Sequence, residues 1–194
     1  MPSPMVHLYA AQMLEPDAPK AYFLGNIAPD YIGDRKLKDH AHFRDVDNRL
    51  EALARFGSRL DPHNLFERGW LFHLFVDAFW DEEEIPRYKI HQLERGNEDT
   101  WFAEYRNEIT LLSCHMYHRL ELGPVMLEKI KNPDDVSTSL NVDGARIEWY
   151  REFVVEKHET SEPGLVPHFY SLDQVEEFSH LTVDEYIRWN KDWR

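Results

Sequence analysis

Apolar residues recur along most of this chain at intervals of three and four positions, the spacing that gathers them on one face of an α-helix. The segment from 99 to about 122 is the longest example, with Tyr105, Ile109, Leu112 and Met116 on one face. No segment shows the convincing alternation of apolar and polar positions that is typical of a half-buried β-strand. The pattern therefore predicts an all-α protein, a bundle of several helices.

Capping residues, glycines and prolines divide this pattern into separate helices. Ser3 followed by Pro4 is typical of a helix start, and Gly25 predicts the end of the second helix. An acidic run followed by Pro86 predicts the end of the fourth helix, and the charged segment 31–42 is predicted to be a long loop. The predicted helices cover about 4–14, 18–24, 47–58, 65–80, 99–122, 124–131, 143–157, 172–178 and 183–193, with loops at 132–142 and 159–167.

The segment 70–80 differs from the rest because it is apolar on nearly every side of the helix, which predicts that it is buried. It nevertheless carries His73 and Asp77, which are four positions apart and therefore lie on one face. A buried carboxylate and imidazole need a partner, because an unpaired buried charge is expensive. Either the two side chains satisfy one another or a metal ion satisfies both. Gly69, one turn earlier, leaves room on that face for a close neighbour.

Composition and charge narrow the class of protein. The 194 residues, 42% of them apolar, suffice for one folded domain, which we divide into a metal-site half, about 1–122, and a helical part, 123–194. The formal charge of −14 disfavours binding to nucleic acid or to an anionic membrane surface. Cys114 is the only cysteine, so no disulfide framework or thiolate zinc site is expected. Without a leader pattern or a long apolar run, we expect a cytoplasmic protein with no stable membrane insertion; no signal indicates its oligomeric state.

Five residues in the first 80 form a candidate set of metal ligands. Imidazoles and carboxylates are the ligands that suit zinc, manganese or iron. Each residue alone also has an ordinary interpretation, such as a hydrogen-bonded core histidine or a carboxylate that caps a turn. Taken together, the five residues predict a metal site between helices and loops. The five are His7, Asp30, His42, His73 and Asp77.

Three sequence elements carry a resemblance to a known family: Phe-Leu-Gly-Asn-Ile-Ala-Pro-Asp at 23–30, His-Phe at 42–43, and Gly-Trp-Leu-Phe-His-Leu-Phe-Val-Asp at 69–77. In this order they resemble the zinc-dependent phospholipase C family, which is related in fold to the P1/S1 zinc nucleases. The resemblance covers residues 5–81. It implies an all-α bundle of that type with a zinc cluster between helices, and the family's ligands correspond to His7, Asp30, His42, His73 and Asp77. It also implies that Asp77 can bridge two ions and that Asp30 contacts the nucleophilic water.

The chain also departs from the family pattern. The secreted enzymes use a processed N-terminal amine as a ligand, whereas here the first histidine is His7 and no leader is expected. Where the family has a further histidine six residues after the aspartate, this chain has Glu83. No His-x3-Glu pair like the family's is expected downstream of Asp77. The candidate replacement ligands are His115 and His118, which share one face of the predicted helix 99–122 with Glu121, and also His91, Asp81 and Glu83; His118 is the favoured one. One or two zinc ions are therefore expected rather than three.

The function implied by the resemblance is hydrolysis of a phosphoric ester by a metal-bound hydroxide, with Asp30 orienting or deprotonating the water. The expected substrate is a small soluble phosphoester or a phospholipid, and Arg35, Lys36 and Lys38 are candidates for binding its phosphate. A second hypothesis is a non-catalytic, metal-binding helical protein that acts through partners. A phosphohydrolase of the HD type is a third, disfavoured because its consecutive His-Asp dipeptide is absent.

Overall fold

The architecture is that of a helical bundle around one apolar core, as the apolar periodicity predicts. The computed structural model describes residues 1–133 and 136–193, except for the side chain of Trp193, and no strand occurs in this part of the chain. The helices are α1 (Pro4–Leu14), α2 (Lys20–Ile27), α3 (Arg35–Ala41), α4 (Arg49–Gly57), α5 (Leu65–Glu94), α6 (Trp101–Arg119), α7 (Gly123–Ile130), α8 (Gly144–Glu159) and α9 (Leu172–Trp193), with a 3-10 turn at Ala28–Tyr31. No helix among the described residues is long and apolar enough to cross a membrane.

Helices α2 and α5 pack with their backbones in close contact, and two glycines make this possible. A Cβ atom on Gly69 would lie 2.0 Å from the carbonyl oxygen of Tyr22, and one on Gly25 would lie 2.0 Å from that of Phe66. Gly69 thus has the close neighbour that the sequence predicts. Gly25, in contrast, lies inside α2 and does not end it, because the position requires a small residue for helix packing rather than a turn.

The predicted loop 31–42 is wrong in its second half, where the chain forms α3. The helix starts because the carboxylate of Asp34 accepts a hydrogen bond from the backbone N–H of Leu37 at 2.9 Å. It ends at Ala41 with His42 as its C-cap, and the next residue, Phe43, has a positive φ of 54°, which breaks the helical path. A short amphiphilic helix without a buried residue has little periodicity to reveal it.

Two predicted helix ends are also wrong. Helix α5 continues through Pro86, which is exposed, so water can satisfy the carbonyl group of the exposed Glu82 that loses its intrahelical partner. Helix α9 continues through the predicted break at 179–182, where the hydroxyls of Ser179 and Thr182 donate to carbonyl oxygens within the helix at 2.7 Å. Of the loop predicted at 132–142, residues 134 and 135 lie outside the described part of the chain.

Candidate metal centre

Four buried side chains from three elements converge at the junction of α3, α5 and the 3-10 turn. Asp30 belongs to the 3-10 turn, His42 caps the C-terminus of α3, and His73 and Asp77 lie one turn apart on α5. One ligand atom from each lies within 4.8 Å of the ligand atoms of the other three. Asp30 is 7% exposed and the other three are fully buried. The group can hold a metal ion.

Backbone carbonyl groups determine which ring nitrogen of each histidine faces the centre. Nδ1 of His42 lies 2.8 Å from the carbonyl oxygen of Lys38, and Nδ1 of His73 lies 2.7 Å from that of Asn26. Because a carbonyl oxygen only accepts, each Nδ1 carries the hydrogen, and a neutral ring then presents the lone pair of Nε2. Burial lowers the pKa of His73 well below its usual value, which favours the neutral ring. Both imidazoles are therefore oriented as metal ligands.

The spacing of the four donor atoms fits a small cation better than it fits hydrogen bonds. The two Nε2 atoms lie 3.3 Å apart with their lone pairs facing, although neither carries a hydrogen to share. Nε2 of His42 is 3.4 Å from a carboxylate oxygen of Asp30 and 3.4 Å from one of Asp77. Zinc bonds of about 2.0–2.1 Å to tetrahedral nitrogen and oxygen ligands separate those ligands by about 3.3–3.4 Å. These shorter distances match ligands of one small cation, whereas Nε2 of His73 lies farther from the carboxylates, 3.7 Å from Asp30 and 3.9 Å from Asp77.

Both carboxylates of the group are ionised. Burial opposes ionisation most strongly, but the Lys38 ammonium holds the pKa of Asp30 well below its usual value. For Asp77, burial is likewise outweighed, by the nearby His7 ring and by the charge of Arg44, and its pKa is also lowered well below the usual value. Ionised carboxylates are ligands for a divalent cation, and each of these two also has a cationic side chain beside it, Lys38 at Asp30 and Arg44 at Asp77.

His7, the fifth predicted ligand, lies beside this group on α1. Its ring stacks on that of His73 with centroids 3.9 Å apart, and its Nε2 is 3.5 Å from Oδ1 of Asp77, the oxygen that does not face His42. His7 is fully buried, and neither ring nitrogen has a hydrogen-bond partner with good geometry among the described residues. A buried imidazole in that state is available to a ligand.

His118 is not brought to the centre. Its Nε2 lies 2.9 Å from both the carbonyl and the hydroxyl oxygen of Ser161, because this end of α6 packs against the loop after α8. A His-x3-Glu spacing does occur further on, at His158 and Glu162, but it forms no ligand pair. His158 is bound to the Ser113 hydroxyl at 2.8 Å, and Glu162 lies beyond the end of α8. The structure therefore does not bring the predicted ligand His118 to the metal centre.

The structure also places two residues beside the centre that the sequence does not assign to it, Arg44 and Tyr150. Arg44 donates to Asp77 at 2.8 Å and to Asp81 at 2.7 Å, and the latter also accepts from Arg49 at 2.8 Å. The Tyr150 hydroxyl, brought by α8, donates to Oδ2 of Asp30 at 3.5 Å. Arg44 and Tyr150 lie 33 and 120 positions from their carboxylate partners, so no local motif indicates either contact.

A cleft of about 650 Å³ opens over Asp30. Lys38, Arg44 and Tyr150 line it beside the metal centre, and Arg35 also faces it, whereas Lys36 does not. Part of its wall is apolar, formed by side chains of α5 and α6: Ile85, Phe102 and Ile109. Two of the three basic residues proposed from the sequence, Arg35 and Lys38, therefore face the same space as Asp30.

Comparison of the chain with protein-family models, with curated proteins and with known structures finds no match in any of the three. What the fold and the site define is an all-α protein with a buried group of two carboxylates and two imidazoles that can hold a metal ion.

Proposed function

We propose that this protein is a metal-dependent hydrolase of a phosphoric ester, and that its metal is zinc. One observation carries the proposal: Asp30, one of the four donors, lines a cleft whose wall presents several cations, and the other three donors lie buried behind it. A buried metal site needs no such cleft for a purely structural role, whereas a hydrolase needs space for a substrate next to the metal. The resemblance of residues 5–81 to the zinc-dependent phospholipase C family supports the same reaction class.

The ion would be held by Asp30, His42, His73 and Asp77. His7, whose Nε2 lies 3.5 Å from Oδ1 of Asp77, would be a further ligand on that side of the carboxylate. When bound, zinc supplies an activated water at neutral pH and positive charge for the phosphoryl oxygens. Arg44 holds Asp77 in its orientation through the 2.8 Å hydrogen bond and keeps it ionised.

Asp30 is the candidate catalytic carboxylate because it belongs to both the donor group and the cleft. One of its oxygens faces the imidazoles while Oδ2 faces Tyr150. In that position it can orient an attacking water and accept its proton. Lys38, whose Nζ lies 2.8 Å from Oδ1 of Asp30, lines the same space and can bind a phosphoryl oxygen of the substrate.

Metal analysis and an activity assay on the same preparation test the proposal. We expect at least one zinc per chain by elemental analysis, and hydrolysis of 4-nitrophenyl phosphate or bis(4-nitrophenyl) phosphate that EDTA abolishes and zinc restores. Asp30→Asn should lower kcat by about 100-fold or more, as loss of a general base does. Lys36→Gln, on α3 but outside the cleft, is the matched control and should leave activity unchanged. A zinc-loaded protein that hydrolyses neither ester would contradict the proposal.

The alternative is a non-catalytic metal-binding protein, and the depth of the site favours it. All four donors are at least nine-tenths buried, and Lys38 and Arg44 already compensate the carboxylates. In this case zinc raises the melting temperature of the protein, Asp30→Asn removes that stabilisation, and no ester is hydrolysed. Both functions therefore predict bound zinc, but only the hydrolase predicts turnover of an ester.

A further inference from the structure

The cationic side chains that line the cleft fall into two groups. Three of them are paired with carboxylates: Arg35 lies 3.8 Å from Asp39, Lys38 lies 2.8 Å from Asp30, and Arg44 lies 2.7 Å from Asp81. The other two, Arg106 and Lys157, have no carboxylate oxygen within 4.0 Å in the part of the chain that the structure describes. What sets these two cations apart is that both face the same cavity.

These two cations and a hydroxyl lie together on the α6–α8 side of the cleft. Arg106 and Thr110 are one turn apart on α6, and both line the cleft. Lys157 reaches across from α8, and its Nζ lies 3.5 Å from Oγ1 of Thr110. We call Arg106, Thr110 and Lys157 the α6–α8 subsite. Its donors are two charged groups and a hydroxyl, the set that binds an oxyanion.

Burial makes an anion at this subsite favourable. The Lys157 side chain is more than half buried, and this desolvation lowers its pKa. Desolvating an ammonium group without a carboxylate partner is costly, and a bound oxyanion offsets that cost. The guanidinium of Arg106 is exposed at the cleft wall and can donate two parallel hydrogen bonds to the same anion.

We propose that the α6–α8 subsite binds an oxyanion, a carboxylate or a phosphate group, separate from the group that meets Asp30. The part of this proposal that concerns the substrate rests on the proposed function. In that part, the phosphoester that is hydrolysed carries a second anionic group, and Lys157 and Arg106 select for that group. A phosphoester with a neutral or cationic second group leaves the two cations unpaired and binds less tightly. Binding of an oxyanion by itself does not depend on catalysis.

The first test is binding of inorganic phosphate to EDTA-treated protein, measured by calorimetry at low ionic strength. We expect Lys157→Gln and Arg106→Gln each to weaken phosphate binding by about tenfold, the loss of one charge-assisted contact. Arg119→Gln removes one positive charge from α6 outside the cleft and should bind phosphate as the unmodified protein does. No phosphate binding by the unmodified protein, or unchanged binding by the double variant, would overturn the subsite.

The second test separates the subsite from the proposed reaction. Two 4-nitrophenyl phosphodiesters are compared whose second ester group ends in a carboxylate or in its methyl ester. We expect KM to be about tenfold lower for the carboxylate and this preference to vanish in Lys157→Gln. Equal KM values with intact turnover would overturn the assignment of substrate class and leave the hydrolase proposal standing. Hydrolysis of neither ester, with phosphate binding intact, would overturn the hydrolase proposal and leave the oxyanion subsite standing.

Discussion

At the scale of single residues, the metal centre depends on hydrogen bonds that the ligands make away from it. The carbonyl groups of Lys38 and Asn26 hold the two imidazoles with Nε2 toward the centre. Arg44 does the same for Asp77. Such partners orient ligands before any ion binds, so the chain pays little entropy when the site is filled.

Replacing Asp77 with asparagine tests its role as a ligand. Asp77→Asn keeps the shape of the side chain but removes the charge, and we expect zinc affinity to fall by about tenfold or more. Zinc stoichiometry by elemental analysis and affinity by competition with a chelating dye measure the effect. Asp39→Asn, at the rim of the cleft, is the matched control and should keep full occupancy. Undiminished zinc binding in Asp77→Asn would remove this residue from the ligand set.

At the scale of elements, the contact between α2 and α5 positions both the core and the site. Gly25 and Gly69 let the two backbones touch, and this contact brings the carbonyl group of Asn26 to His73. The donor group therefore depends on helix packing as well as on its own side chains. The apolar core packs around α5 and so fixes the position of the helix that carries His73 and Asp77.

Gly69→Ala tests this packing. The added methyl group would lie 2.0 Å from the carbonyl oxygen of Tyr22, so the helices must separate, and we expect the free energy of unfolding to fall by about 3 kcal/mol. Urea denaturation measures the change. Gly144→Ala, where the new methyl group meets nothing within 4 Å, is the control and should be neutral or slightly stabilising. Equal stability of the two variants would mean that the helices tolerate separation.

The contact between α6 and α8 predicts a pH dependence. Burial lowers the pKa of His158 from 6.5 to about 4, while Nδ1 bonds the Val154 carbonyl oxygen and Nε2 accepts from Ser113. Between these values the unfolded chain binds more protons than the folded one, so the free energy of unfolding falls as pH falls. The contribution of His158, full above pH 6.5, is lost by pH 4, at most about 3 kcal/mol. Because other groups also titrate in this range, the contribution of His158 is the difference in the free energy of unfolding between the unmodified protein and His158→Gln, measured by urea denaturation at each pH. A difference that stays constant between pH 4 and 6.5 would contradict the prediction.

At the scale of the whole molecule, the acidic chain concentrates several buried charges in one region. Two buried carboxylates of the metal centre are balanced by Lys38 and Arg44, and a divalent cation adds to that balance. A ligand that binds only the folded state stabilises it in proportion to its affinity.

Zinc should therefore raise the melting temperature. At a free zinc concentration about 100-fold above Kd, the gain is about 2.7 kcal/mol, which corresponds to a shift of about 5–10 °C for a chain of this size. Scanning calorimetry with zinc and then with excess EDTA measures it. Asp77→Asn should show a much smaller shift, and a shift of equal size in that variant would place the ion elsewhere on the protein.

The sequence determined what depends on neighbouring positions: the helical class, the burial of α5, and the presence of His73 and Asp77 on one face of it. These follow from the period of the helix and from the cost of exposing apolar side chains. The order of the motifs also singled out Asp30 and His42, although α3, which carries His42, is too short and too exposed to show a pattern.

Only the tertiary structure decided which distant groups meet. In the folded protein α5 continues through Pro86, and His118 contacts Ser161 rather than the metal centre. Tyr150 contacts Asp30, which lies 120 positions away in the sequence. It also placed Lys157 and Arg106 on the wall of the cleft, where neither has a carboxylate partner among the described residues. Local periodicity is a property of a few turns of chain, whereas these contacts depend on how whole helices pack, and helix packing is settled by the combined shape of the core.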